Sequence, residues 1–457
     1  MRIVYFDIDS LRADHLGCYG YARPTSPNID RIAGEGMRFD RTYVSDSPCM
    51  PSRTSFVTGR FGFSHGIVTH GQRHNQPNIP QQRYGGPLPD YQLLQIKLRQ
   101  AGMDTFGFST FPVRHTNAIF SLGWTGMSTP SLETGNEPAE EVCDAVLDWV
   151  ARNNDRDDYF LYVNCWDPHR IYKEAQQEWF DQMAQHPAPF DWPDDEATAR
   201  HCQYTGPFTA GTQFPDNKTQ TRLMPGRVAS HADYEHMING YDAMIAYTDQ
   251  QIGRVIDELE RQNGLDDTAI IISADHGDAF GEHGIYSDHV CAHEPVHRVP
   301  MIVRWPGVTS PGTSSDHLLY HVDLTATLCD LVAGEVPSGY DGESFASLLR
   351  GEAQERRSHL VWGHGLYTLQ RAVRTDTHLF LKTTYHHCYS QFEPYELYDM
   401  QRDPWMQQNI AADAPGMVGD LHGRLESWRH QQANKPHANG DPMETVRRTR
   451  ESLGVFL

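Results

Sequence analysis

The chain has 457 residues, of which 38 are basic and 60 acidic, and its formal charge is −22. This length exceeds one typical core, so we expect a large domain and a smaller one. The acidic balance disfavours nucleic acid or a membrane as the main partner, so an anionic substrate needs a local positive site, such as a metal beside an arginine.

The eight cysteines are scattered, and none belongs to a Cys-x-x-Cys pair. This spacing favours reduced thiols over a disulfide framework or a zinc ribbon. The N-terminal MRIVYFDID contains neither a basic segment nor an apolar signal-peptide region, and no run of the chain is apolar enough to span a bilayer. We therefore expect a cytoplasmic protein.

The first predicted element is a buried strand over residues 2–6, RIVYF, followed by Asp7 and Asp9. Asp9 thus lies at the carboxyl end of a strand, which is where ligands bind in open α/β sheets. We interpret Asp7 as a solvated carboxylate at the strand end, with a role beside a metal as the alternative.

The segment SPCMPSRTSFVTGR, residues 47–60, places Cys49 ahead of Pro51 and Arg53. Pro51 favours the first turn of a helix, where backbone amides and the Arg53 guanidinium would lie beside the sulfur. This pattern predicts an anion pocket next to a nucleophile. The alternative is a buried cysteine with no chemical role.

Cys-x-Pro-Ser-Arg followed by Thr-Gly-Arg resembles the signature of the sulfatases, which belong to the alkaline phosphatase superfamily. The resemblance implies that a formylglycine-generating enzyme oxidises Cys49 to Cα-formylglycine, whose hydrated aldehyde is the nucleophile. It extends over nearly all of residues 1–430. The implied fold is α/β: a large, mostly parallel mixed sheet sandwiched by helices, with a smaller C-terminal α+β subdomain on a short antiparallel sheet. The implied units are a catalytic domain (1–355), this subdomain (356–432) and a polar tail (433–457).

Further elements follow from periodicity and from buried apolar runs. Helices are predicted over 93–102, 139–153 and 229–263, and strands over 104–110, 159–166 and 269–273. The segment 321–334 resembles the last helix of the large domain in the sulfatase family, which implies a further helix. His115 and His169 follow two of these strands. By resemblance, His169 contacts the ester oxygen of the substrate, and His115 replaces a histidine that holds the sulfate, with a structural role as the alternative for His115.

The predicted strand over 269–273 leads into Asp275 and His276, in TAIIISADHGDAFGEHG. This pair resembles the metal-binding pair of the superfamily, so Asp9, Asp275 and His276 are the predicted ligands of one divalent ion. Calcium prefers oxygen ligands alone, so the histidine favours Mn²⁺ over Ca²⁺, with Mg²⁺ as a further alternative. By resemblance, His289 binds sulfate and protonates the leaving oxygen.

Two further histidines, His293 and His297, follow His289, but their spacing matches no zinc motif, so we expect core or surface positions. The long insertion over 171–228 has little predicted structure, which makes it a candidate lid or specificity loop together with the His-rich loop at 65–74. Arg170, just before the insertion, could help to bind an acidic substrate.

The first hypothesis is a metal-dependent sulfate ester hydrolase acting on a sulfated carbohydrate or an aryl sulfate, as a monomer or homo-oligomer. The second is a phosphonate monoester or phosphodiester hydrolase on the same scaffold. It is favoured by Ser10 where most sulfatases have a second aspartate, by the Asp275-His276 pair, and by the lack of a lysine near residue 110. A third is an inactive protein that binds sulfated glycans.

Overall fold

The computed structural model describes residues 1–70, 92–115, 118–133, 135, 137–153, 155–172, 176–210, 223–262, 264–386, 388–436, 438 and 440–453. Parts of the predicted specificity loops, 71–74, 173–175 and 211–222, lie outside these residues.

The strands, numbered along the chain, are β1 (Arg2–Ile8), β2 (Met37–Phe39), β3 (Thr42–Tyr43), β4 (Asp46–Ser47), β5 (Asp104–Phe108), β6 (Gly126–Ser128), β7 (Tyr159–Cys165), β8 (Thr268–Ser273), β9 (Ala279–Phe280), β10 (Tyr286–Asp288), β11 (Arg298–Val299), β12 (Met301–Arg304), β13 (Thr313–Ser315), β14 (Leu319–Tyr320), β15 (Leu360–His364), β16 (Leu369–Arg374), β17 (His378–Tyr385) and β18 (Tyr395–Asp399).

The α-helices are α1 (Pro27–Glu35), α2 (Cys49–Thr58), α3 (Gly62–His65), α4 (Leu94–Gln100), α5 (Phe111–His115), α6 (Ala118–Ser121), α7 (Ala139–Arg152), α8 (Gln177–Met183), α9 (Asp195–His201), α10 (His231–Arg261), α11 (Glu294–His297), α12 (Val322–Ala333), α13 (Ala346–Leu349), α14 (Pro415–Ala433) and α15 (Pro442–Leu453).

The large sheet has the strand order β13-β2-β12-β8-β1-β7-β5-β6. The five strands from β8 to β6 are parallel, and β12 runs antiparallel to its neighbours β8 and β2. Parallel strands inside a helix sandwich are buried on both faces, which is why β1 and β8 read as almost continuous apolar runs. The sheet is therefore mostly parallel and mixed, as predicted.

Helices cover both faces of this sheet, and alternate side chains of β1 belong to two different cores. Val4 and Phe6 pack in a cluster with Tyr241 of α10, whereas Ile3 and Tyr5 pack in a cluster with residues of α2 and α12. This alternation is the period of two expected for a strand. The central strand β1 thus connects the long helix α10 on one face to the cysteine-bearing helix α2 on the other.

The second sheet has the order β18-β17-β16-β15-β4 and is antiparallel except where β4, from the N-terminal part of the chain, pairs in parallel with β15. Helix α14 packs on it through Leu421 and Leu425. Together with the large sheet, this small sheet confirms the predicted α/β fold class with a C-terminal subdomain.

Two stretches contain more regular structure than the sequence analysis predicted. The insertion over 171–228 contains α8 and α9, and the Asp194 side chain caps α9 by accepting from the amide of Ala197 at 2.7 Å. The stretch predicted as a polar tail contains α15. No helix in the described parts of the chain combines the length and apolar character needed to cross a bilayer.

Candidate active site

Several predicted site residues lie at the carboxyl edge of the large sheet. Because β1, β5, β7 and β8 are parallel, the segments that follow them leave the sheet at the same edge. These segments contain Asp9, His115, His169, Asp275 and His276. The convergence expected from the strand order is therefore present in the structure.

Helix α2 begins at Cys49, and all ten of its residues are buried. It ends at Thr58 and is capped by Gly59, which has a left-handed φ of 66° and packs so closely that a Cβ atom would lie 2.4 Å from the Tyr340 ring. Next to it, the Arg60 Nε donates to the carbonyl of Gly339 at 3.1 Å. The Thr-Gly-Arg part of the motif thus ends and anchors the helix that holds Cys49 in place.

Arg53 lies at the centre of a buried cluster of charged side chains. Its Nε donates to Asp7 Oδ2 at 2.8 Å and its Nη1 to Asp9 Oδ2 at 2.8 Å, while Asp275 Oδ2 also lies 2.8 Å from Nη1. The Tyr162 hydroxyl also donates to Asp7. Asp7 is only 2% exposed, so its interpretation as a solvated carboxylate was wrong: the β1 strand continues to Ile8 and turns Asp7 inward onto Arg53.

This cluster combines three carboxyl groups with one guanidinium group, which leaves two formal negative charges when all are ionised. Burial alone would raise the pKa of Asp9, but Arg53, His169 and His276 together outweigh it and hold this pKa well below the usual range. Burial raises the pKa of Asp275, and the neighbouring Asp9 and Asp7 add to this against the opposing effect of Arg53. Without a bound cation, the ionised cluster therefore carries a net negative charge.

The Cys49 sulfur lies 3.1 Å from His276 Nε2. His276 Nδ1 donates to the carbonyl of Gly277 at 2.9 Å, which leaves the lone pair of Nε2 directed to the sulfur and the carboxylates. One potential ligand atom from each of Asp9, Cys49, Asp275 and His276 lies within 4.8 Å of the others. Burial, Asp9 and Asp275 raise the pKa of the Cys49 thiol.

Three buried polar atoms of the cluster have no hydrogen-bond partner among the described residues: Asp7 Oδ1, Asp275 Oδ2 and Arg53 Nη2. Asp275 Oδ2 is close to Arg53 Nη1 but lies outside hydrogen-bonding alignment, so its proximity is electrostatic. A buried acceptor and a buried donor of this kind are costly unless a ligand satisfies them. They are suited to a cation and to an anionic substrate oxygen, respectively.

His289 lies against His276, with ring centres 4.2 Å apart. Its Nδ1 is 2.8 Å from Asp278 Oδ1, and its backbone amide donates to Asp288 Oδ1 at 2.8 Å. Burial alone would lower the pKa of His289, but Asp288 and Asp278 outweigh it and raise this pKa. Sequence reasoning missed both carboxylates, although Asp278 follows three residues after Asp275 and Asp288 directly precedes His289.

His169 is the third ring in this group, with its centre 5.9 Å from that of His289. Burial lowers its pKa to about 4. The neighbouring Arg170 pairs with Asp288 at 2.8 Å and lies over the Phe208 ring, with the guanidinium carbon 3.8 Å from the ring centre. Arg170 is therefore held by protein groups at the edge of the site.

His115 ends α5, and its ring packs beside the rings of Phe111 and His70. Burial lowers its pKa to about 3. His70, which sequence reasoning did not single out within the predicted loop 65–74, accepts a hydrogen bond from the Met50 amide at 3.2 Å. The described end of that loop thus contacts the first turn of α2.

The fold is the predicted alkaline phosphatase-like α/β architecture. The chain belongs to the sulfatase family: the family model described as Sulfatase matches residues 2–334, and that of the N-sulphoglucosamine sulphohydrolase C-terminal region matches 281–431. It is accordingly a sulfuric ester hydrolase.

Individual relatives are distant in sequence but similar over most of their length. N-acetylglucosamine-6-O-sulfatase of Bacteroides thetaiotaomicron is 23% identical over 90% of this chain and 83% of the relative. Among the solved structures, that of BT4656 in complex with its substrate, D-glucosamine-2-N,6-O-disulfate, has a TM-score of 0.76 at 21% identity. The match covers 96% of this chain and 99% of the BT4656 chain. The phosphonate monoester hydrolase of Agrobacterium radiobacter has a TM-score of 0.69 at 19% identity, covering 94% and 96%. The two structural likenesses concern the fold.

Proposed function

We propose that the protein hydrolyses sulfate esters of saccharides with a divalent metal ion and a formylglycine derived from Cys49, releasing inorganic sulfate and an alcohol. The observation behind this proposal is the buried cluster of Arg53 and its three carboxylates, in which Asp9, Asp275 and His276 lie close to Cys49, the first residue of α2. The saccharide part rests on the relatives, one named for N-acetylglucosamine-6-O-sulfate and one solved with a glucosamine disulfate.

The donor set fits one divalent cation. Asp9, Asp275 and His276 would hold it, and its two positive charges would balance the two formal negative charges of the cluster. The Asp275 oxygen without a hydrogen-bond partner supports the same assignment. Two carboxylates and an imidazole suit Mn²⁺ slightly better than Ca²⁺. When bound, the ion supplies Lewis acidity to the nucleophile and to a substrate oxygen.

Cys49 is the proposed site of the modification. The formylglycine hydrate supplies one hydroxyl for attack and a second whose deprotonation expels the sulfate, a route that serine or cysteine lacks. Helix α2 fixes this residue at its first position, so the side chain and the amides of the first turn face the carboxyl edge of the sheet. The rigid setting of a fully buried helix keeps the nucleophile oriented.

In this proposal Arg53 binds a sulfate oxygen and His289 protonates the leaving oxygen. Arg53 uses Nε and Nη1 to contact carboxylates, and Nη2 is available to a sulfate oxygen on which charge develops. Asp278 orients His289 through Nδ1, so the opposite nitrogen can hold a proton for the leaving oxygen. His169 is the alternative acid, and His115 is proposed to contact the sulfate at the periphery.

Mass spectrometry of the purified chain tests the modification. Conversion of the thiol to an aldehyde removes about 18 Da, and we expect the turnover rate to rise in proportion to the converted fraction. Cys49→Ala should abolish turnover of a sulfated glucosamine, whereas Cys388→Ala, at an exposed cysteine, should leave it unchanged. Full activity in a preparation without the mass loss would contradict the proposal.

Phosphonate or phosphodiester hydrolysis is the second candidate. Ser10 follows Asp9 and donates to its Oδ1 at 3.1 Å, so this position supplies a hydroxyl where most sulfatases have a second carboxylate. In addition, the ion pairs and hydrogen bonds described for the site involve no lysine. We expect a higher kcat/KM on aryl sulfate than on the matched aryl phosphonate and phosphodiester. A preference of several orders of magnitude for the phosphorus substrates would replace the first candidate by the second.

A further inference from the structure

A second group of metal-binding side chains lies outside the catalytic cluster and shares no residue with it. His283 lies in the turn between β9 and β10, His293 directly precedes α11, and Glu396 belongs to β18 of the small sheet. One ligand atom from each of the three lies within 4.8 Å of the others. The group therefore joins a turn and a helix start of the large domain to a strand of the C-terminal subdomain.

His293 and Glu396 are buried and His283 has an intermediate exposure, and the hydrogen bonding of the two imidazoles is incomplete. His293 is 0% and Glu396 1% exposed. His293 Nε2 lies 2.8 Å from Glu396 Oε2, but His293 Nδ1 and His283 Nε2 have no hydrogen-bond partner among the described residues. The two ring centres are 3.5 Å apart. The buried His283 Nε2 is unfavourable unless a ligand occupies it, and in His293 the nitrogen next to Glu396 is Nε2, so His283 Nε2, His293 Nε2 and Glu396 Oε2 are the candidate ligand atoms.

We propose that His283, His293 and Glu396 bind one Zn²⁺ or a similar borderline divalent ion, with water completing the coordination. Two imidazoles and one carboxylate form a ligand set that zinc accepts, whereas Ca²⁺ and Mg²⁺ prefer oxygen. Ligand atoms around a tetrahedral zinc with bonds of about 2.0 Å lie about 3.3 Å apart. The 2.8 Å distance between His293 and Glu396 is close to this value, so a small displacement of the two side chains suffices.

Neighbouring groups already orient these three side chains. The Tyr398 hydroxyl donates to Glu396 Oε2 at 3.0 Å, and the amide of Glu393 donates to Oε1 at 2.9 Å. Gln391 donates to the backbone carbonyl of His283 at 3.2 Å, which connects this turn to the segment before β18. Such outer contacts fix the orientation of metal ligands. Because the ligands come from both units, bound zinc would fasten the turn between β9 and β10 to the small sheet.

The test is a zinc titration of the untagged full-length chain after removal of metals with a chelator. We expect one zinc ion that persists in His276→Ala, since that variant impairs only the catalytic cluster. His283→Gln and Glu396→Gln should each weaken binding of this zinc at least about tenfold. His430→Gln, at an exposed histidine of α14, is the matched control and should bind zinc like the wild type.

Two readouts besides stoichiometry make the outcome decisive. Co²⁺ should give visible absorption bands in His276→Ala that are absent when His283→Gln is added, and Zn²⁺ should raise the Tm of His276→Ala but not of this double variant. If metal-free His276→Ala binds no zinc, or if the double variant retains its affinity and its bands, the site does not exist. His283 has an intermediate exposure, so its replacement by Gln is the variant that disturbs packing least.

Discussion

Arg53 shows why this position requires an arginine. Its Nε and Nη1 contact the carboxylates at the end of β1, Nη1 also lies beside Asp275 after β8, and its third nitrogen remains for a ligand. A lysine has one nitrogen and no fixed fork, so it could not contact both carboxylates in this planar geometry and still face a sulfate. Asp7 and Tyr162 have a positioning role in this arrangement, because they hold the Nε side of the guanidinium.

The residue that donates the proton to the leaving oxygen can be identified from how the kcat/KM of each variant depends on the leaving group of the substrate. If His289 is the general acid, His289→Gln should lower kcat/KM about 100-fold or more for an alkyl sulfate and much less for 4-nitrophenyl sulfate, whose leaving group needs no proton. We expect Asp278→Asn to show the same pattern with a smaller loss, since it acts by orienting His289.

His169→Gln is the matched comparison in this measurement. If His169 only contacts the substrate, His169→Gln should lower kcat/KM by a similar factor for the alkyl sulfate and for 4-nitrophenyl sulfate. A stronger leaving-group dependence for His169→Gln than for His289→Gln would exchange the two roles.

Among the secondary-structure elements, the short strand β4 ties the cysteine helix to the small sheet. Asp46 of β4 accepts from the Gly62 amide at 2.6 Å, and a Cβ atom on Gly62 would lie 2.2 Å from Asp46 Oδ1, so only glycine fits there. Burial raises the pKa of Asp46 to about 7, an effect that the Gly62 hydrogen bond and Arg371 only partly offset. The buried position of Asp46, in β4 beside Gly62, therefore favours the protonated form of its carboxyl group.

This elevated pKa predicts a pH dependence of stability. Between the unfolded value of about 3.9 and the folded value near 7, the native state binds more protons, so stability decreases as the pH rises. Asp46→Asn removes the titration and keeps an acceptor for Gly62. Relative to the wild type, the free energy of unfolding of this variant should increase by at most about 4 kcal/mol from pH 4 to pH 8.

Thermal melts of both proteins at several pH values measure this difference. Asp148→Asn, at an exposed carboxylate of α7, is the control whose Tm difference from the wild type should not change with pH. A Tm difference between Asp46→Asn and the wild type that stays constant from pH 4 to pH 8 would show that folding does not raise the pKa of Asp46.

The sequence predicted some elements well and missed others for physical reasons. Helix α7 has one buried and one exposed face, so its periodicity indicated it closely. Helix α10 has such a pattern only toward its two ends, and α12, whose first eight residues are all buried, was indicated by resemblance. Helix α2 is buried on every side and lacks such a period, so the motif alone indicated it. The two-residue strand β4 has no local signal, because its pairing with β15 depends on residues more than 300 positions away.

At the scale of the whole molecule, the parallel strand order allowed Asp9, His169 and Asp275 to be placed at one edge before the structure was known. Contacts between distant segments could not be placed in this way. His70 reaches the Met50 amide from a loop, and His283 meets Glu396 across the two units, in each case through tertiary packing without a sequence pattern. The packing of the C-terminal helix α15 against Val68 and Leu369 is a third contact of this kind.

Helix α15 supports the segment that leads to His70. Met443 and Val446 pack against Val68 and Leu369, and the Arg450 guanidinium donates to the carbonyls of residues 365 and 367. Val68 lies two residues before His70, whose ring contacts the first turn of α2. Loss of this packing should therefore loosen the loop beside the nucleophile as well as destabilise the fold.

The double variant Met443→Ala, Val446→Ala should lower the free energy of unfolding by about 3–5 kcal/mol, because it leaves a cavity under α15. At a temperature where it remains folded, kcat/KM on a sulfated saccharide should fall about tenfold, since His70 no longer holds the Met50 amide in place. Arg448→Ala, exposed on the same helix, should change neither quantity by much. A destabilised double variant with unchanged kcat/KM would limit α15 to a role in stability and separate it from the active site.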